Sequence, residues 1–419
     1  MRGFAWALAA LVGLPILVYL ALVLVNWNDE PPSASAQRLV AMNRDRPELA
    51  DAANGYFAMQ SLAVAPGADP DYMDARSAEV AALATACGEA LACAKALDAH
   101  PGALTKWLES EQWLLERYRR MLASEGWREP IPDNLNLPLP AYQHAMEAQK
   151  LHLLDARQLA LAGDPVGVRD LLERDMVFWR QVLASSDLLI SKMIAVAAVS
   201  RNFALGNLAL RELPQDLADT ALPPSWRTPL TVAERSLART LGGEWHFAAS
   251  ALRTALSPDG PGAASHQRVS DFLLRPLYQE QATVNRSADR MMRVGTLSEL
   301  PYPELGPALE HLARPQKQAR LPFTAYNPVG TLLDAMASAS FYANYVARAA
   351  DLEGQRRAAL LVATLRSEGT GREDAAAAVR DAALRSPYDD APFAWDGASG
   401  SVVFRGLDKG ARGQHAVLF

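Results

Sequence analysis

From Phe4 to Val25 the chain reads FAWALAALVGLPILVYLALVLV, 22 consecutive residues without a charge. A helix rising about 1.5 Å per residue makes this run roughly 33 Å long, enough to cross a hydrocarbon core of about 30 Å. Pro15, in mid-span, is tolerated in such a helix. Arg2 precedes the run, whereas Asp29 and Glu30 follow it and no Lys or Arg appears before Arg38. The positive-inside bias then keeps the N-terminus cytoplasmic and exports everything after the run. Trp27 falls where an interfacial aromatic belongs. The expectation is a single-pass inner-membrane protein, with residues 1–27 as a retained anchor and the body in the periplasm. The competing reading is a signal peptide cleaved after Ala34-Ser35-Ala36. It is opposed by the length of the apolar core and by the polar Asn26 to Glu30 before the cut.

The remaining chain, about 390 residues, is ample for a large core. Its balance is mildly acidic, with a net charge of −6 over 419 residues. No basic footprint marks a nucleic-acid partner, and none is expected.

The only two cysteines, Cys87 and Cys93, stand six apart in an exported chain. On one unbroken helix they would lie about 9 Å apart along the axis, beyond disulfide reach. Gly88 offers a break, so the spacing predicts a Cys87–Cys93 disulfide that closes a tight loop between two helices.

Hydrophobic periodicity predicts a mainly α fold: one transmembrane helix, a helical body built as a bundle or as irregular α-hairpins, and a small C-terminal β-hairpin. Residues 28–38 read as a Pro- and Ser-rich linker, 39–213 as an N-terminal helical lobe, 230–385 as a C-terminal helical lobe, and 386–419 as the hairpin tail. Within the first lobe a helix is expected over Ala103 to Ala123 and another over Tyr142 to Leu161. A third is started by Asp164 at the N-cap and Pro165 at N1. A fourth, capped by Ser186 or Asp187 and reaching Glu212, is apolar on all sides and needs burial all round. Lys192, Arg201, Asn202 and Asn207 argue against its being a second span, because a central Lys or Arg costs roughly 2.5 to 3.5 kcal/mol. Further on, Gly242-Gly243 reads as a helix interruption, and Thr331 to Ala350 and Gly354 to Ser367 as a helical pair. A turn is expected at Pro66 to Pro70, an extended connector at Pro130 to Pro140, and a loop at Ser257 to His266.

Three groups carry possible chemistry. His144, Glu147, His152 and Asp155 share one helix face and form a candidate metal set, although the pattern is not H-E-x-x-H and a solvated face explains it. Lys192 and Arg201 are buried-charge candidates on opposite faces, expected to pair with acids such as Asp170, Asp175 or Glu234. Glu234, Glu244 and His246 flank the Gly-Gly step, where acid–base chemistry is conceivable. Nucleophile elbows, phosphate loops and dinucleotide fingerprints are missing, so no cofactor is expected.

Two stretches carry a resemblance. Asn327-Pro328-Val329-Gly330 leads through Tyr345 and Arg348 to Asp351-Leu352-Glu353-Gly354-Gln355-Arg356-Arg357, and Pro387-Tyr388-Asp389 is followed by Pro392-Phe393-Ala394-Trp395. These resemble the C-terminal part of uncharacterised, membrane-anchored envelope proteins of Gram-negative bacteria, over about the last 90 residues. The resemblance implies an envelope location and no catalytic residue. Asp389-Asp390-Ala391 stands where a Gly would be expected, which leaves that turn type open. The expected function is a tethered chaperone, assembly factor or scaffold acting on a protein partner. The alternative is an envelope hydrolase using Glu234, Glu244 and His246.

Overall fold

The computed structural model describes residues 2–63, 72–131, 139–255, 272–314, 324–336 and 339–419. The turn at Pro66 to Pro70, most of the connector at Pro130 to Pro140 and the loop at Ser257 to His266 lie outside the described residues. The apolar N-terminal run forms α1 (Arg2–Val25). Helix α2 (Ala34–Arg44) follows, then α3 (Gly55–Gln60), α4 (Ala78–Ala86), α5 (Ala90–Ala99), α6 (Ala103–Ser110) and α7 (Gln112–Leu122). The long helices α8 (Tyr142–Leu161), α9 (Pro165–Ser185) and α10 (Leu189–Leu210) come next, and then the short α11 (Gln215–Ala221), α12 (Pro224–Arg227) and α13 (Val232–Arg235). The second half holds α14 (Ala238–Ala255), α15 (Glu280–Ser298), α16 (Tyr302–Ala313), α17 (Pro328–Met336), α18 (Ala343–Ser367) and α19 (Ala375–Asp381).

Three strands close the chain: β1 (Ala394–Asp396), β2 (Ser401–Arg405) and β3 (Gln414–Leu418), antiparallel in the order β1-β2-β3. The expected two-stranded hairpin is thus completed by a third strand, with Val402 opposite both Trp395 and Val417. A lone hairpin is marginal in water, and the third strand together with packing on α18 removes that weakness.

Several boundaries differ from the sequence reading for physical reasons. The expected linker is helical from Ala34, where the Ser33 hydroxyl accepts a hydrogen bond from the Ala36 amide. Leu39 and Ala36 then pack beside Leu237 and Leu241, so α2 belongs with the second half of the chain. The helix expected over Ala103 to Ala123 is divided at Glu111, whose buried carboxylate accepts from Nε and Nη2 of Arg76 at 2.6 and 2.8 Å. Neither Gly243 nor Gly354 ends a helix. A Cβ on Gly243 would lie 1.9 Å from the Asp187 carbonyl oxygen, and one on Gly354 would lie 2.1 Å from the Phe404 ring. Both glycines are close-approach points inside continuous helices, α14 and α18. At the C-terminal turn Asp390 takes φ +56°, the left-handed conformation a glycine would favour.

Cys87 ends α4 and Cys93 lies in the first turn of α5, with their sulfurs 2.01 Å apart as the spacing predicts. Among the described residues α10 is the one helix whose length and hydropathy match a membrane crossing, but two thirds of its apolar window is buried within the protein. It packs against α8, α9 and α18, as a helix apolar all round requires.

At the centre of this packing Asp175 is fully buried. It accepts from the Tyr118 hydroxyl at 2.5 Å, Asn202 Nδ2 at 2.8 Å and Gln149 Nε2 at 3.0 Å. Trp179 and Trp226 extend the network by donating to Tyr118 and Asn202. Burial pushes the Asp175 carboxyl up to about 6, against the pull of its three donors. Asp175→Ala leaves those donors without their acceptor, and we expect a loss of about 3 kcal/mol in urea denaturation. A loss under about 1 kcal/mol would show that water replaces the carboxylate.

Candidate functional site

The residues singled out by sequence do not assemble into one reactive centre. Glu234 places its carboxylate on Arg180 at 2.5 and 2.9 Å and closes a capping box with Thr231. Glu244 instead accepts from the Leu189 amide at 2.8 Å, at the start of α10. His246 lies two residues further along α14, in contacts of its own. The candidate metal set is also dispersed. His152 is completely buried, bonded through Nε2 to the Leu171 carbonyl, and burial lowers its imidazole to about 4. Glu147 bridges Arg76 and Lys150, Asp155 pairs with Arg119, and His144 lies against the Tyr72 ring. Of the four, His152 is buried and the other three are partly exposed, each held by an ion pair or a ring contact. No group of three or more metal-ligating side chains occurs among the described residues.

Lys192 and Arg201 are buried and half-buried as expected, but carbonyl and amide oxygens meet them where acids were anticipated. Lys192 Nζ donates to the carbonyls of Leu183 and Glu234 at 2.5 and 2.7 Å. Burial brings this amine down to about 7. Arg201 donates to the Met146 carbonyl and the Gln149 side chain. Carbonyl oxygens at helix ends carry partial negative charge, and sequence offers no signal for them.

The start of α10 holds a group that sequence reasoning missed. Glu129, fully buried, accepts from the Asp187 and Leu188 amides, both at 2.6 Å, and from the Ser191 hydroxyl. With Glu244 on Leu189, two imported carboxylates satisfy three successive amides where Ser186 or Asp187 was expected to cap. Asp187 turns instead toward Arg46 and Arg239. Burial first, and the charge of Asp187 second, push the Glu129 carboxyl up to about 8. Glu129 immediately precedes the Pro-rich stretch that was read as an extended connector and not as part of a site.

The second missed group joins α1 to the body. Asn26, buried, donates to the Leu22 and Ala325 carbonyls at 2.8 and 2.7 Å and accepts from the Asn327 amide at 2.6 Å. Gln279 Nε2 donates to the Asn26 carbonyl at 2.6 Å. Asp29 accepts from the amides of Gln281 and Ala282 in the first turn of α15, and Asn285 binds the backbone of Pro31 and Ser33. Asn327 caps α17 through the Gly330 amide while its Nδ2 donates to Gln279 and Thr283. The sequence reading began this helix at Thr331, and neither its start at Asn327-Pro328 nor the partnership with Asn26, about 300 residues earlier, was foreseen.

The two stretches that carry the resemblance also meet. Asp351 on α18 accepts from the Tyr388 hydroxyl at 2.6 Å and from the amides of Leu407 and Asp408. Glu353 holds Arg356, Arg357 and the Leu230 amide. Burial raises its carboxyl, but the two guanidiniums outweigh this and hold it below the usual range. This cluster latches chain segments together and offers no open site. A surface hollow of about 440 Å³ lies elsewhere, lined by Ala50, Ser61, Arg117, Arg120 and Glu125 among others. Comparison with protein-family models, with curated proteins and with solved structures finds no match.

Two predictions follow from these groups. Because folded Glu129 holds its proton to about pH 8 while the unfolded side chain releases it near 4.3, the folded state binds more protons in between. Stability should therefore fall as pH rises through that window, by up to about 1.4 kcal/mol per pH unit. Glu129→Gln should flatten the slope in urea melts; an unchanged slope would show that Glu129 ionises normally. For the junction, Asp29→Ala should raise hydrogen exchange at the Gln281 and Ala282 amides at least tenfold and leave α8 to α10 protected.

Proposed function

We propose that this is a single-pass inner-membrane protein whose helical body is held in a fixed orientation at the periplasmic face. There it acts through protein contacts, as an assembly factor, chaperone or scaffold. The observation that carries this reading is the junction of Asn26 and Asp29 with Gln279, Gln281, Ala282 and Asn327. A body on a flexible linker samples all orientations, whereas one bonded to its anchor presents the same face to its surroundings. That arrangement suits a docking platform.

Supporting observations come from both ends of the chain. From Leu11 to Val25 most large side chains of α1 are exposed, Leu11 by 73% and Leu24 by 70%, as expected of a helix bathed in lipid. The Cys87–Cys93 pair at bonding distance fits an oxidising compartment. The hydrolase alternative gains nothing from the positions of Glu234, Glu244 and His246, since the first two are committed to different structural bonds.

The reading is tested in intact cells. A reporter active only in the periplasm, fused after Phe419, should be active. A photo-crosslinker at exposed Phe341 or Val177 should give a discrete adduct. Asn26→Ala combined with Asp29→Ala, which removes the side-chain bonds to Ala325, Asn327, Gln281 and Ala282, should abolish that adduct by freeing the body. A silent reporter would refute the topology, and no adduct above background at either position would refute the docking role.

A further inference from the structure

Residues 272–274 are helical and present three consecutive large apolar side chains: Phe272 is 78% exposed, Leu273 46% and Leu274 48%. Such a cluster is unusual on a surface facing water. Its location accounts for it. The Tyr19 hydroxyl donates to the Leu273 carbonyl at 3.1 Å, and Gln279 reaches the Asn26 carbonyl at 2.6 Å. The chain from Leu273 to Gln279 therefore runs beside α1 from Tyr19 to Asn26, a rise of about 10 Å.

The burial pattern of α1 agrees. In its last two turns Tyr19, Leu22, Val23 and Asn26 are covered at least in part, while Leu20, Ala21, Leu24 and Val25 are exposed. Positions i, i+3, i+4 and i+7 make one stripe on a helix, and the 3₁₀ turn Arg275–Leu277 contacts α1. Tyr19 lies six residues before the end of the apolar run, about 9 Å inside it. An element bonded at that depth shares the environment of the anchor.

We propose that Phe272, Leu273 and Leu274 are embedded in the bilayer leaflet on the body's side, as a wedge alongside the last two turns of α1. The occupant of this apolar surface is the acyl-chain region of lipid, argued from its continuity with α1. Exposed Arg275 follows directly and has the length to reach headgroup phosphates while its stem stays in the apolar layer. The wedge adds a second membrane contact to the span, and two contacts fix the tilt of the body where one does not. The inference rests on the reading of α1 as a span.

The test uses the full chain in vesicles of phosphatidylethanolamine and phosphatidylglycerol, with an environment-sensitive fluorophore on single introduced cysteines, the native pair being disulfide-bonded. Labels are placed at Phe272→Cys, at Leu11→Cys as an anchor reference, and at exposed Leu161→Cys as an aqueous reference. Brominated acyl chains should quench the Phe272→Cys label severalfold more than the Leu161→Cys label, and aqueous iodide should show the reverse order. If Leu11→Cys is quenched by brominated lipid while Phe272→Cys follows Leu161→Cys, the wedge is overturned and the span stands. If neither is quenched by lipid, the span reading itself falls. A Phe272→Cys label shielded from both quenchers, with disulfide-linked dimers in unlabelled protein, would overturn the lipid assignment in favour of a second copy of this chain.

Discussion

The packing of the body centres on α18, whose sides are shared among three hydrophobic cores. Ala349, Leu352, Ala359 and Ala363 pack with the first-half helices, and Ala343, Val346, Ala347 and Ala350 with α2, α14, α15 and α16. Ala358, Leu361, Val362 and Leu365 support the C-terminal sheet. Alanine recurs here because a helix packed on all sides needs small residues where neighbouring backbones come close. Gly354 under the Phe404 ring is the extreme case. The charges within α18 obey the same constraint, since Asp351 and Glu353 have no room for water and must be met by amides, a hydroxyl and guanidiniums.

α10 meets that demand differently. Its buried polar residues, Ser191, Lys192, Asn202 and Asn207, bond to carbonyls or to groups on α8 and α9, and its first amides receive carboxylates from distant segments. The result is a body whose strongly shifted groups, Glu129, Asp175, His152 and Lys192, are all buried in packing interfaces. Perturbed titration is often a pointer to catalysis. In this protein it follows from the burial of polar side chains, which is why the candidates chosen by residue type dispersed once their partners were visible.

What the sequence disclosed follows the range of each interaction. Periodicity over α8, Asp164-Pro165 at the start of α9 and the short Cys87 to Cys93 loop are local, and each was legible. Gly243 and Gly354 were misread as breaks because the atoms that require them, in Asp187 and Phe404, are remote in sequence. Ser33 to Arg38 was misread as linker because Pro and Ser obscured the start of a short amphipathic helix whose partners, Leu237 and Leu241, come about 200 residues later. The same distance hid the candidate site: Asn26 reads as an ordinary interfacial residue until Asn327 and Gln279 are placed around it.

The junction also couples two variables that a tether would leave independent. The covered stripe Tyr19, Leu22, Val23 and Asn26 is set by helical phase, and each residue turns that phase by about 100°. Inserting or deleting one residue in α1 before Tyr19 changes the length of the helix and leaves the stripe intact. The same change between Tyr19 and Asn26 turns Asn26 away from Asn327 and Gln279 while Tyr19 still faces Leu273, so both sets of bonds cannot form together. Rotation of α1 about its own axis is then rotation of the body with it.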